Sequence, residues 1–114
     1  MSAGEIEVEM ANDEILARAA MPPRAACLTE ARDLTCGDRD RAYGEPVANM
    51  QHIADIFNAI TGRDITAREV ALMNQATKLA RRWHNPTHRD SYVDGMAYGG
   101  IEYECALTDA ARAP

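Results

Sequence analysis

Pro46-Val47-Ala48-Asn49-Met50-Gln51-His52-Ile53-Ala54-Asp55-Ile56-Phe57-Asn58-Ala59-Ile60-Thr61, closed by Gly62, is the stretch that decides the fold. Pro46 suits the first turn of a helix, where its missing N–H is not needed. Met50, Ile53, Ala54, Phe57 and Ile60 recur at spacings of three and four, one apolar stripe of a helix. Gly62 ends it. Downstream, Thr66-Ala67-Arg68-Glu69 has the form of a capping box. It opens a helix to about His84 that is expected to bury Val70, Met73, Ala76 or Thr77, Ala80 and Trp83. Phe57, Met73 and Trp83 are read as core residues. Asn85-Pro86-Thr87-His88 breaks the chain, and Asp90 or Ser91 is expected to cap a last helix reaching about Ala111. Upstream, Gly37–Pro46 reads as a shaped loop, with two glycines, a proline and closely spaced charges. A helix from Pro23 to about Thr35 precedes it, with Gly37 as its expected left-handed terminator. A short helix is expected from Asn12, interrupted at Met21-Pro22-Pro23. The prediction is all-α: one small bundle of four to five helices over residues 12–114, behind a flexible acidic leader at residues 1–11.

Composition supports this. The chain has 114 residues, 46% hydrophobic and 26% charged, ordinary for a folded domain. Aromatics are only 5%, and the abundance of alanine favours helices over sheets. No apolar run is long enough to span a membrane, and no basic segment followed by an apolar one opens the chain, so a cytoplasmic location is expected. Most of the net charge of −6 comes from Glu5, Glu7, Glu9, Asp13 and Glu14, which leaves the remainder near neutral. Broad nucleic-acid binding is therefore disfavoured. Cys27, Cys36 and Cys105 fit neither a zinc nor a disulfide framework, and are read as buried or partly buried thiols.

Three groups of residues carry candidate chemistry. Asp90, Asp94 and Tyr98 follow at i, i+4 and i+8 on the last helix, and Ile101 and Cys105 continue that face. Asp94 and Tyr98 are thus expected to point inward, where a carboxylate needs a partner. Lys78, Arg81 and Arg82 on the preceding helix are candidates for it. Such a site is either an interhelical ion pair or a carboxylate site for Mg²⁺ or ligand hydroxyls. The run Lys78, Arg81, Arg82 and Arg89, with His84 and His88 among them, suits a phosphate group, or else a solvated helix terminus. Pro86 between the two histidines argues against a metal pair. In the loop, Arg39, Arg41 and Tyr43 are candidates to contact a ligand, with Tyr43 stacking on a base or simply packing on the bundle. No familiar phosphate-loop pattern is present.

The string Gly37-Asp38-Arg39-x3-Tyr43-Gly44-x-Pro46, then Asn49, Ile53-Ala54, Val70-Ala71-x-Met73, Lys78-x-Ala80-Arg81 and His88-x-Asp90-Ser91-x2-Asp94-x3-Tyr98 resembles a family of small phage and prophage proteins of unassigned function. The resemblance spans residues 33–101; where that family more usually has Asp before the proline, this chain has Glu45. The chain is also distantly similar to the MazG-type all-α nucleoside triphosphate pyrophosphohydrolases. That likeness implies Mg²⁺ held by acidic residues of two helices, here Asp90 and Asp94 for the later element. For the earlier one, the equivalent helix offers only Asn49, Gln51, His52 and Asp55. With part of the ligand set gone, metal-assisted hydrolysis is short of carboxylates.

The expected function is therefore binding of a nucleotide or nucleotide-derived signal without turnover, for sensing or sequestration, including counter-defence in a host cytoplasm. Its ligand residues would be Arg39, Arg41, Tyr43, Lys78, Arg81, Arg82, His88, Asp90, Asp94 and Tyr98. No catalytic residue is assigned. The alternatives are a Mg²⁺-dependent MazG-like pyrophosphohydrolase, with Asp90 and Asp94 as metal ligands, and a protein-interaction module binding a host protein through its helical surface, with the acidic leader as a candidate contact segment. Broad alanine and methionine faces on so short a bundle, and the resemblance to MazG-type proteins, lead us to expect a homo-oligomer.

Overall fold

The structure, a computed structural model, describes residues 12–13, 15–16, 20–37 and 44–112. Among these there are four helices and no strand: α1 Pro23–Cys36, α2 Pro46–Thr61, α3 Ala67–His84 and α4 Arg89–Arg112. Residues 12–13, 15–16 and 20 are also helical. The leader and the loop residues 38–43 lie outside the described residues.

Local chemistry accounts for each helix. α1 starts on Pro23, and the Pro22 carbonyl accepts from the Ala25 and Ala26 N–H groups. Its terminator differs from expectation: Gly37 has φ −106°, outside the left-handed region. Glycine is needed there for space, because a Cβ would lie 2.7 Å from the Asp33 carbonyl oxygen. The Glu45 carboxylate caps α2, one oxygen accepting from Val47 N–H and the other from Ala48 N–H, both at 2.9 Å. Gly62 ends α2 at φ 73°. The Asn58 side chain donates to the Ile65 carbonyl and accepts from its N–H, which closes the short link to α3. Thr66 and Glu69 form the reciprocal capping box. α4 begins at Arg89, two to three residues before the start that a cap at Asp90 or Ser91 implies, so both residues sit in its first turn. Ser91 is buried, and its Oγ lies 2.7 Å from His88 Nδ1.

The longest helix, α4, packs against the other three. The core is Met50, Ala54, Ala67, Val70, Ala71 and Cys105, with Val47, Ile65, Tyr98 and Ile101 around it. Burial pushes the Cys105 thiol up from its ordinary pKa. Cys36, by contrast, is exposed.

The expected apolar stripes are only partly inside. On α2, Met50 and Ala54 are buried, whereas Ile53, Phe57 and Ile60 are exposed. On α3, Val70 is buried with Ala67 and Ala71, but Met73, Ala76, Thr77 and Ala80 face out and Trp83 is 90% exposed. The reason is tertiary. α3 meets α4 through Ala71, Gln75 and Lys78, where Gly95 and Gly99 of α4 leave room for long polar side chains. This turns the broader apolar side of α3 away from the core.

Candidate functional site

The α3–α4 seam is polar. Lys78 Nζ lies 3.0 Å from Asp94 Oδ2, with 17% and 28% of the two side chains exposed. One level along, Glu102 accepts from Gln75 Nε2 at 2.9 Å and from Arg68 Nε at 3.1 Å. The Gln75 hydrogen bond, then Arg68, holds the Glu102 carboxyl below its ordinary pKa. Gly95 matters here: a Cβ on it would sit 3.7 Å from Lys78 Cβ, so the lysine stem lies flat against α4.

The Lys78–Asp94 pair lines a cavity of about 200 Å³ between α2, α3, α4 and the end of α1. Its walls are Leu34, Thr35, Gly44, Pro46, Asn49, Met50, Ala97, Tyr98 and Ile101. One ammonium proton and one carboxylate oxygen satisfy each other. Among the described residues neither group has a further partner, so both keep hydrogen-bonding capacity toward the cavity. Tyr98 supplies an aromatic wall, Asn49 an amide able to donate and accept, and Met50 and Ile101 an apolar floor. A charged pair, an amide and a ring within one small concavity is the pattern of a polar small-molecule site. The volume is below the ~300–1,000 Å³ of sites for drug-sized ligands, so it suits one part of such a molecule.

The structure gathers some sequence-predicted residues and separates others. Lys78, Asp94 and Tyr98 share the cavity. Asp90, one turn before Asp94, is exposed and does not line it. Arg82 lies over the Tyr92 ring, 4.7 Å from its centroid, and the Tyr92 hydroxyl donates to the Pro86 carbonyl at 2.8 Å. Arg89 pairs with Glu30 of α1, and that hydrogen bond raises its pKa further. Arg81 lines a separate shallow cleft with His84 and His88. The basic run is thus dispersed over several sites. Arg39, Arg41 and Tyr43 lie outside the described residues, but Thr35 and Gly44 on either side of that loop line the cavity.

Sequence reasoning gave no role to Asn49 or Thr35, because both reach the cavity from helices remote in the chain. Asn49 did carry a signal: it stands in the string that resembles the phage family and neighbours Met50 on a helix whose start at Pro46 was legible. A second groove, between α2 and α4, is lined by Glu45, Gln51, His52, Asp55, Glu104 and Asp109. Its acids are dispersed: Glu45 caps α2 and Asp55 accepts from Gln51. No group of three or more His, Cys, Asp or Glu suited to a metal ion occurs among the described residues.

Comparison with known proteins matches this architecture to one family. Residues 26–106, containing the whole cavity wall, match the profile described as a domain of unknown function, DUF6378. The Gene 55 protein of Mycobacterium phage L5 is 33% identical over 88 residues, 76% of this chain and 56% of that protein. The Gene 55 protein of Mycobacterium phage D29 is 36% identical over 73 residues, 64% of this chain and 48% of that protein. The chain spans about half the length of these curated relatives. No solved structure matches. The chain belongs to DUF6378, a family of small phage proteins whose function is unknown.

Proposed function

We propose that the chain binds a nucleotide or nucleotide-derived signal without turning it over, serving a phage as a sensor or a sink for such a molecule. The observation that carries the reading is the half-buried Lys78–Asp94 pair facing a cavity walled by Tyr98 and Asn49. In the bound state Lys78 meets a phosphate or carbonyl oxygen, Asp94 accepts from ribose hydroxyls or a base N–H, and Tyr98 stacks on the base. Arg39 and Arg41 are the further candidates for the phosphate, and Tyr43 for stacking on the base, since they belong to the stretch whose flanking residues Thr35 and Gly44 line the cavity.

Binding is favoured over hydrolysis by the placement of the two carboxylates. Metal-assisted phosphoanhydride cleavage needs acids converging on one ion. Here Asp90 stands outside the cavity and Asp94 has a cation 3.0 Å away. If the likeness to MazG-type hydrolases extends to activity, Asp90 and Asp94 are the Mg²⁺ ligands to test.

Lys78 is the single lysine of the chain, which makes the test direct. After reductive ¹³C-methylation, its signal is followed during titration with AMP, ATP, cyclic nucleotides and ADP-ribose, each with and without Mg²⁺. Thermal shifts are recorded in parallel. A ligand at 100 times its Kd stabilises the fold by about 2.7 kcal/mol, several degrees for this size. The expected result is a shifted Lys78 signal, loss of response in Asn49→Ala, and recovery of the ligand intact by chromatography. Recovery of cleaved nucleotide establishes the hydrolase instead. No response to any of these compounds overturns the reading.

A further inference from the structure

α2 contains a single formally charged residue, Asp55, among its sixteen, yet it buries only Met50 and Ala54. Its apolar residues span about half of the circumference, opposite Gln51, His52, Asp55 and Asn58, and that apolar half is only partly covered. Ile53, Ile56, Phe57 and Ile60 form an uncovered stripe at i, i+3, i+4 and i+7, with Ile60 78% exposed. The Asn74–Met50 contact and the Asn58–Ile65 clamp set α2 and α3 antiparallel. That register sets Met73 within one turn of the level of Ile53, and the exposed Ala76, Ala80 and Trp83 continue along α3 past the start of α2.

We infer that this α2–α3 face is the contact surface between two copies of the chain, related by a twofold axis. Three observations select a second copy. The six large side chains named above are 39% to 90% exposed, a patch of the kind from which each partner contributes roughly 800 Å² to a standard stable interface. The apolar side of this hairpin has no cover among the described residues, while the seam inside the chain carries Lys78–Asp94 and Glu102–Gln75. The stripe on α2 also carries no charge that a copy of itself would repel. A twofold axis sets the same patch against itself, so no complementary surface elsewhere is needed. None of these six side chains lines the cavity, and the inference stands whether or not a nucleotide binds.

The test is the mass of the full chain by light scattering at tens of micromolar, together with emission from Trp83, the chain's one tryptophan. The expected mass is twice 12.5 kDa, falling to a single chain on dilution, with indole emission moving to the red as Trp83 enters water. Ile60→Glu with Phe57→Glu is expected to hold the chain single at every concentration. Helical circular dichroism is expected to stay unchanged, because both side chains already lie at the surface. A single-chain mass at tens of micromolar overturns the inference, whatever the tryptophan emission. So does a dimer that survives both substitutions, which places the contact elsewhere. Failure of the double variant to keep its helical signal is resolved by Trp83→Ser alone, which must weaken the dimer for the inference to stand.

Discussion

The α3–α4 seam and the outer face of α2–α3 are opposite in character. The seam is narrow, floored by Ala71, Gly95 and Gly99, and laced by charged and amide groups. The outer face is broad, carries the chain's only tryptophan and phenylalanine, and offers water little beyond the Trp83 indole N–H along its apolar stripes. A chain stabilised only within itself places these the other way round. The contrast teaches that apolar surface alone does not locate the interior of a small helical protein. Small residues on two facing helices fix which sides meet, and the long polar side chains then settle where they find partners.

The sharpest way to break this contrast is to introduce the same charge in both regions. Val93→Asp places a carboxylate at a fully buried position of α4, and is expected to cost about 4 kcal/mol in urea unfolding. Trp83→Asp in the dissociated chain is expected to change stability by less than about 0.5 kcal/mol. Equal losses would show that Trp83 is covered within one chain. Next in size is the seam itself. Lys78→Met leaves Asp94 without its cation and is expected to cost about 2 kcal/mol, with Asp94→Leu on the same chain recovering most of it. A double variant no better than the single one means that Asp94 has another role.

Smaller effects sharpen the picture. Gly100 lies in α4 outside the left-handed region, with nothing within 4 Å of an added Cβ. Gly100→Ala is expected to raise stability by about 0.5–1 kcal/mol, seen as a few degrees in Tm. Gly99→Ala should gain less, because its Cβ would touch Gln75 Oε1 at 3.6 Å and trim the freedom of that side chain. The smallest effect is in acid. The Glu102 carboxyl is held below its ordinary 4.5 by Gln75 and Arg68. Its contribution to folding is therefore full above that pH, and is lost as pH falls through the lowered folded value. Glu102→Gln is expected to flatten the acid limb of the stability profile measured by urea unfolding.

Much of the fold was legible because it is local. Pro46, Gly62 and the Thr66–Glu69 box mark helix ends through groups within four residues, so α2 and α3 fall where periodicity and caps put them. The inward side of α3 was not legible. Val70 and Ala71 compete with Met73, Ala80 and Trp83 at equally helical spacings, and the choice is made by packing against α4, which lies later in the chain. The cavity was legible in half. Asp94 and Tyr98 follow from i, i+4 spacing on a face continued by Ile101. Asn49 and Thr35 arrive from other helices, and no local pattern announces them. The Glu45 cap shows the same limit in miniature: it stood in the sequence only as a variant residue in a motif, yet its carboxylate holds the first turn of α2.

The ion pair between Arg89 and Glu30 joins residues 59 positions apart, whereas α2, α3 and α4 follow one another through short links. Neighbours in sequence meet first, since closing a short loop costs less entropy than closing a long one. The three-helix unit is thus expected to form early and α1 to dock on α4 last. Leu34 and Thr35 come with α1, so the cavity acquires its remaining wall only in that final step. Hydrogen exchange should find the α1 amides opening while those of α3 stay protected, which would make the site the youngest part of the molecule each time it folds.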